Sequence, residues 1–230
     1  MDYAVVAKEI SYRYPDGSLG VERVNLKIDR GEKVAIIGEN GSGKSTLIFL
    51  LSALLKPSEG EVNVLGFTTR EIEEIRKRVG VVFQNPDDFL FNPTVRDELL
   101  YVPRQLGMSR EEMDYILREF SELFGLKEIL HKPPFRLSGG EKKKVEIASV
   151  LVYKPEIIFF DEPTANVDAK TRKIVKELIK CYQGTVIVAT HEMDVAKICE
   201  RVLIMKRGKI IADSNFKSID DRILEIAGLI

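Results

Sequence analysis

Val34-Ala35-Ile36-Ile37 followed by Gly38-Glu39-Asn40-Gly41-Ser42-Gly43-Lys44-Ser45-Thr46 is the stretch that decides the fold class. The nine-residue part fits G-x-x-x-x-G-K-[ST], the phosphate loop. Its glycines let successive backbone N–H groups converge on one anion, and the helix that follows directs its positive end at the same place. Gly38, Asn40, Gly41, Ser42, Gly43, Lys44, Ser45 and Thr46 are therefore expected to hold a nucleotide's phosphates. Lys44 is expected to reach the β- and γ-phosphates, and the Ser45 hydroxyl to ligate Mg²⁺. By chance the pattern occurs in roughly 1% of chains this long. An apolar strand before it and a helical stretch over 44–55 after it lower that further, so the match is taken as real.

Moving outward, Ile157-Ile158-Phe159-Phe160 runs into Asp161-Glu162, an apolar strand ending in two carboxylates. Ligands of open α/β sheets gather at the carboxyl ends of strands. Asp161 is expected to face the metal, and Glu162, one residue on, to orient and deprotonate an attacking water beside the γ-phosphate.

Ser138-Gly139-Gly140-Glu141 opens a helix over 142–152. Ser138 suits an N-cap, and the glycines bare backbone N–H groups at the positive helix end, a second place where an anion could sit. One phosphate loop and two phosphate-cradling helix ends make sense if two copies meet head to tail, each nucleotide lying between the loop of one and this segment of the other.

The remaining pattern alternates strands and helices, which predicts a largely parallel open sheet. Residues 3–6, 10–14 and 24–28 read as antiparallel strands, 79–83, 185–190, 202–205 and 209–212 as further strands. Helices are expected over 69–77, 109–124, 169–183, 193–200 and 219–227. The block near 86–153 reads as a helical insertion between two sheet strands of a single 1–230 domain.

Lys and Arg total 35 against 36 Asp and Glu, a net charge of -1, so no electrostatic footprint for nucleic acid is present. Residues 1–15 contain no apolar signal core, and the longest uncharged stretch, 45–55, is about half a bilayer span. Any link to a membrane is expected to run through a partner. Cys181 and Cys199 lack metal spacing and are expected to be reduced, partly buried thiols in helical segments.

Leu137-Ser138-Gly139-Gly140-Glu141, downstream of the phosphate loop and shortly before Phe160-Asp161-Glu162, resembles the signature of the ABC-family ATPases. The resemblance covers essentially the whole chain. It implies an α/β P-loop ATPase with a mostly parallel central sheet, an N-terminal antiparallel β-subdomain and an inserted helical subdomain. It implies ATP and Mg²⁺ as cofactors and a head-to-tail dimer, with an identical or related second ATPase. By the same resemblance, Gln84 contacts Mg²⁺ or the attacking water, His191 bonds the γ-phosphate, and Asp168 belongs to the loop crossing the dimer interface. Tyr14, with Tyr12 as the alternative, stacks on adenine.

Gln84-Asn85-Pro86-Asp87-Asp88-Phe89-Leu90-Phe91, together with Tyr14-Pro15-Asp16-Gly17, is similar to ATPases of energy-coupling-factor importers. That likeness implies integral membrane transporter subunits as partners, a peripheral place on the cytoplasmic face of the cell membrane, and a vitamin or transition-metal ion as cargo. A soluble ABC ATPase acting on DNA or ribosomes is the alternative; the sequence has neither the heptad run nor the second phosphate loop of those proteins. Three departures stand out: Glu141 where Gln is commoner, Lys144 where Arg is commoner, and Ala165-Asn166-Val167 where Ala-Gly-Leu is usual.

Overall fold

The computed structural model describes residues 2–229. Along the chain, β1 (Tyr3–Arg13) and β2 (Leu19–Asp29) pair across a turn, and β3 (Lys33–Ile37) leads through the glycine loop into α1 (Lys44–Leu51). β4 (Glu59–Val64), β5 (Phe67–Thr68) and α2 (Ile72–Arg76) precede β6 (Val79–Val82). Three helices follow, α3 (Val95–Gln105), α4 (Arg110–Leu123) and α5 (Gly139–Leu151), before β7 (Ile157–Asp161). The rest is α6 (Ala169–Cys181), β8 (Thr185–Thr190), α7 (Met193–Ala196), β9 (Arg201–Lys206), β10 (Lys209–Asn215) and α8 (Asp221–Ile226).

Two sheets result. One is antiparallel, in the order β2-β1-β4-β5. The other has the order β10-β9-β3-β8-β7-β6, and its strands β9, β3, β8, β7 and β6 run parallel while β10 turns back on β9. The parallel strands are buried on both faces, so they read as unbroken apolar runs instead of alternating. Alternate residues nonetheless serve different cores. Ile158 and Phe160 of β7, with Val186 and Val188 of β8, pack toward the face covered by α3, α4 and α5. Ile157, Phe159, Ile187 and Ala189 pack toward α1 and the antiparallel sheet.

Because β3, β8, β7 and β6 are parallel neighbours, their carboxyl ends lie along one edge. The residues that follow them are Gly38, His191, Glu162 and Phe83-Gln84. This common edge is where an open sheet presents its ligand site.

Local chemistry explains where the elements end. Ser109 accepts from Glu112 N at 3.2 Å while Glu112 Oε2 accepts from Ser109 N at 2.7 Å, a reciprocal cap that starts α4 where the sequence reading places it. Other boundaries differ. The two bursts at 3–6 and 10–14 are one strand: Glu9 at φ 48° forms a bulge that shifts the register between Ala7 and Ile10 and breaks the alternation without ending the strand. α1 stops at Leu51 instead of near 55, with Ala53 left-handed at φ 59°. The expected helix 69–77 shortens to α2, and 193–200 shortens to α7, which leaves the buried Cys199 in a bend and not in a helix. Cys181 ends α6 and is exposed. The two-residue β5 carries too little pattern to be read.

Candidate nucleotide site

The glycine loop, α1 and the strand ends enclose an open cavity of about 450 Å³, which Tyr14, Asn40, Lys44, Gln84, Glu162 and His191 line among others. Gly43 shows why the loop needs glycine. It is the N-cap of α1 at φ 103°, and a Cβ there would lie 2.4 Å from the carbonyl oxygen of Gly20. Without a capping side chain, the first N–H groups of α1 remain free for an anion, and Gly43, Lys44, Ser45 and Thr46 all face the cavity.

Lys44 is almost enclosed. Its Nζ donates to the carbonyl oxygens of Gly38 at 2.8 Å and Glu39 at 3.1 Å, and lies 3.6 Å from Glu162 Oε1. Beside it, the Ser45 hydroxyl donates to Asp161 Oδ1 at 2.9 Å. Burial pushes the Asp161 carboxyl above its ordinary range, and the Ser45 hydrogen bond works against that. Glu162 is 5% exposed, takes φ 44°, and finds no hydrogen-bond partner for Oε1. A non-glycine residue in this left-handed region costs about 1–2 kcal/mol. The backbone is fixed there by Glu162 N donating to Ala189 O at 2.9 Å. Its Oε2 lies 2.9 Å from His191 Nδ1.

At the other end of the cavity, Tyr14 Oη is 2.7 Å from Thr46 Oγ1, and its ring meets Tyr12 edge-on at 5.0 Å. Tyr14, and not Tyr12, borders the cavity. Leu19 and Gly20, at the start of β2, line it as well; nothing in their sequence context marks them. Gly38 and Ser42 do not line the cavity; both are buried in the loop, where a Cβ at Gly38 would lie 2.6 Å from Ser42 Oγ.

Ser138, Gly139, Gly140, Glu141 and Asp168 are elsewhere. None of the five borders this cavity. Ser138 caps α5, accepting from Glu141 N at 3.3 Å, while Glu141 Oε2 accepts from both Ser138 N and Ser138 Oγ at 2.8 Å. Those bonds hold the Glu141 carboxyl below its ordinary range. Glutamate in place of the commoner glutamine thus closes the cap. Asp168 caps α6, accepting from Thr171 N and Thr171 Oγ1, both at 2.9 Å, which lowers its pKa as well. Gly139 borders a second, smaller cleft of about 240 Å³ that Gln84 and Asn166 share. Asn166 takes φ 57°, so the residue standing where Gly is usual is one that tolerates the same backbone. Lys144 is half-buried on α5, and no structural consequence of its replacing Arg is evident.

A family model described as "ABC transporter" matches residues 21–165. An ABC-transporter-type protein of Archaeoglobus fulgidus is 54% identical over 231 residues, covering 98% of this chain and 97% of that one. The energy-coupling factor transporter ATP-binding protein EcfA of Methanothermobacter thermautotrophicus is 41% identical over 90% of this chain and 69% of its own length. Among solved structures, the ATP-binding cassette MJ0796, a dimer in a post-hydrolysis state bound to ADP and Pi, is similar at a TM-score of 0.81 and 32% identity. That match covers 94% of this chain and all of that one. No helix among the described residues is long and apolar enough to cross a membrane. With its phosphate loop, paired carboxylates and capped signature helix in one α/β frame, the chain belongs to the ABC transporter family and is an ATP-binding ATPase of that family.

Proposed function

We propose that this chain is the motor subunit of an energy-coupling-factor importer, peripheral on the cytoplasmic face of the cell membrane and bound to integral membrane subunits that carry a vitamin or transition-metal ion. The observation that carries the proposal is a division of labour. Lys44, Ser45, Gln84, Glu162 and His191 converge on one cavity, whereas the Ser138-capped helix end lies outside it. A second ATPase subunit facing head to tail supplies the missing helix end to each site and receives one in return. The named likeness to EcfA supports the transporter type.

Ser45 and Asp161 bring two hard oxygen donors together, their partly buried contact at 2.9 Å suits a small divalent cation, and Gln84, which lines the same cavity as Ser45, offers a third. Bound Mg²⁺ would neutralise charge on the β- and γ-phosphates. The protein's own groups do the rest. Tyr14 stacks on the base, the α1 N-terminus and Lys44 hold the phosphates, and Glu162 takes a proton from the attacking water. His191 keeps Glu162 in place through Nδ1, and Asp168 helps form the loop at the subunit interface. Residues 86–153 act as one helical subdomain toward the membrane subunits. Phe91, 65% exposed and in edge contact with Tyr101 at 4.9 Å, gives it an apolar face to present.

Purification of the tagged chain from detergent-solubilised membranes tests this reading. Integral membrane proteins should co-purify stoichiometrically, together with a second copy or a related ATPase. Recovery of ribosomes or DNA in their place overturns it.

A further inference from the structure

Lys143 and Glu146 of α5 are both fully enclosed, with Nζ 2.9 Å from Oε2. Well-packed apolar residues often replace a buried ion pair at no loss of stability. Stability alone therefore does not account for two charges one turn apart in the buried, largely apolar face of this helix.

Their remaining hydrogen bonds all go to one place. Lys143 Nζ donates to the carbonyl oxygens of Phe83 at 2.5 Å and Gln84 at 3.3 Å, while Glu146 Oε1 accepts from Phe83 N at 2.6 Å. The pair thus grips both sides of the backbone just past the end of β6, across some sixty positions of sequence. Farther along the same segment, Lys142 pairs with Asp87 at 2.6 Å, and Glu98 Oε2 accepts from Phe91 N at 3.2 Å and Asn92 N at 2.8 Å. Residues 83–92 are fastened to α3 and α5 at several points.

We propose that Lys143 and Glu146 together are positioning residues for ATP hydrolysis: they lock the Phe83–Gln84 backbone to α5, so that Gln84 and the Ser138-capped helix end move as one piece relative to the Lys44 loop. The proposal rests on the reading of Gln84 as a residue of the hydrolytic site. The i,i+3 spacing puts both charges on one face of α5, where one side chain meets the Phe83 carbonyl and the other its N–H. The neutral replacement fills the space and loses the grip.

The test compares Lys143→Met/Glu146→Met with Gln84→Ala and with all three changes combined. The paired variant should stay folded, at a cost of about 1–3 kcal/mol for the Phe83 groups left unpaired, and bind ATP within about 2-fold, with kcat lowered roughly 10- to 100-fold, the scale of a misplaced catalytic group. Added to Gln84→Ala, it should lower kcat by less than about 2-fold more, because the two changes act through one group. A folded paired variant that turns over normally while Gln84→Ala is slow overturns the positioning role and leaves Gln84 standing. Normal turnover by Gln84→Ala overturns both. Hydrogen exchange of the unaltered protein provides a readout that requires no variant. MgATP should change protection of residues 83–92 and the first turn of α5 together, and a change confined to one of them overturns the proposal.

Discussion

Glu162 and His191 meet at 2.9 Å, carboxylate Oε2 against ring Nδ1, at the ends of the adjacent parallel strands β7 and β8. The contact occupies one carboxylate oxygen and leaves Oε1 without a hydrogen bond, 3.6 Å from the Lys44 ammonium. Under the proposed function this buried carboxylate, one oxygen held by His191 and the other facing Lys44, is the group that takes a proton from the attacking water.

Glu162→Gln removes that basicity and keeps the size and the His191 contact. ATP binding should persist while kcat falls about 10²–10⁴-fold, the usual share of a general base. The variant should accumulate as an ATP-bound dimer, read as a shift in elution volume on adding ATP. Hydrolysis at the normal rate would mean another group takes the proton.

Lys44→Ala removes the enclosed cation that donates to Gly38 O and Glu39 O. The loop should lose both the ammonium for the phosphates and its own internal tie. Nucleotide affinity should drop at least about 10-fold, which is 1.4 kcal/mol, and turnover should vanish. Calorimetric titration with ATP reads the first effect; undiminished affinity contradicts the role given to the loop.

The glycine loop before α1 and the helix caps were readable because their chemistry is local. A phosphate loop needs glycines and Lys44 within nine residues, and each capping box is written within four, at Ser109–Glu112 and at Ser138–Glu141. The parallel sheet was likewise legible, since strands buried on both faces become unbroken apolar runs. What escaped depends on distant partners. The bulge at Glu9 becomes visible only against β2, and Leu19 and Gly20 join the cavity only because β2 folds back beside α1. Lys143 and Glu146 read as ordinary helical charges until the strand end at Phe83 is laid against them.

Asn166 offers a test of backbone strain at the departure from the family pattern. At φ 57° it holds a left-handed conformation in which a Cβ is costly and asparagine is tolerated better than most residues. Asn166→Gly should leave stability within about 0.5 kcal/mol, whereas Asn166→Val should cost about 1–2 kcal/mol. Urea unfolding of both variants checks the order; equal costs would show that the side chain, not φ, decides.

Gly140, in the first turn of the signature helix α5, lies against the Asp168 side chain at the start of α6. A Cβ at Gly140 would stand 2.3 Å from Asp168 Oδ2 and 3.0 Å from Thr171 Oγ1, the two atoms whose side-chain hydrogen bond supports the Asp168 Oδ1 cap of α6. Gly140→Ala should displace the Asp168 carboxylate and break its bond to Thr171 Oγ1, a loss of about 1 kcal/mol if the cap goes with it and up to about 1–3 more for the crowding. Asp168→Ala alone should cost about 1 kcal/mol and clear the space. In that background Gly140→Ala should cost much less than in the unchanged protein, because the side chain it struck is gone. Denaturant melts of the two single variants and the double variant measure the coupling. Strictly additive costs would show that the second glycine of the signature is not held small by the α6 cap.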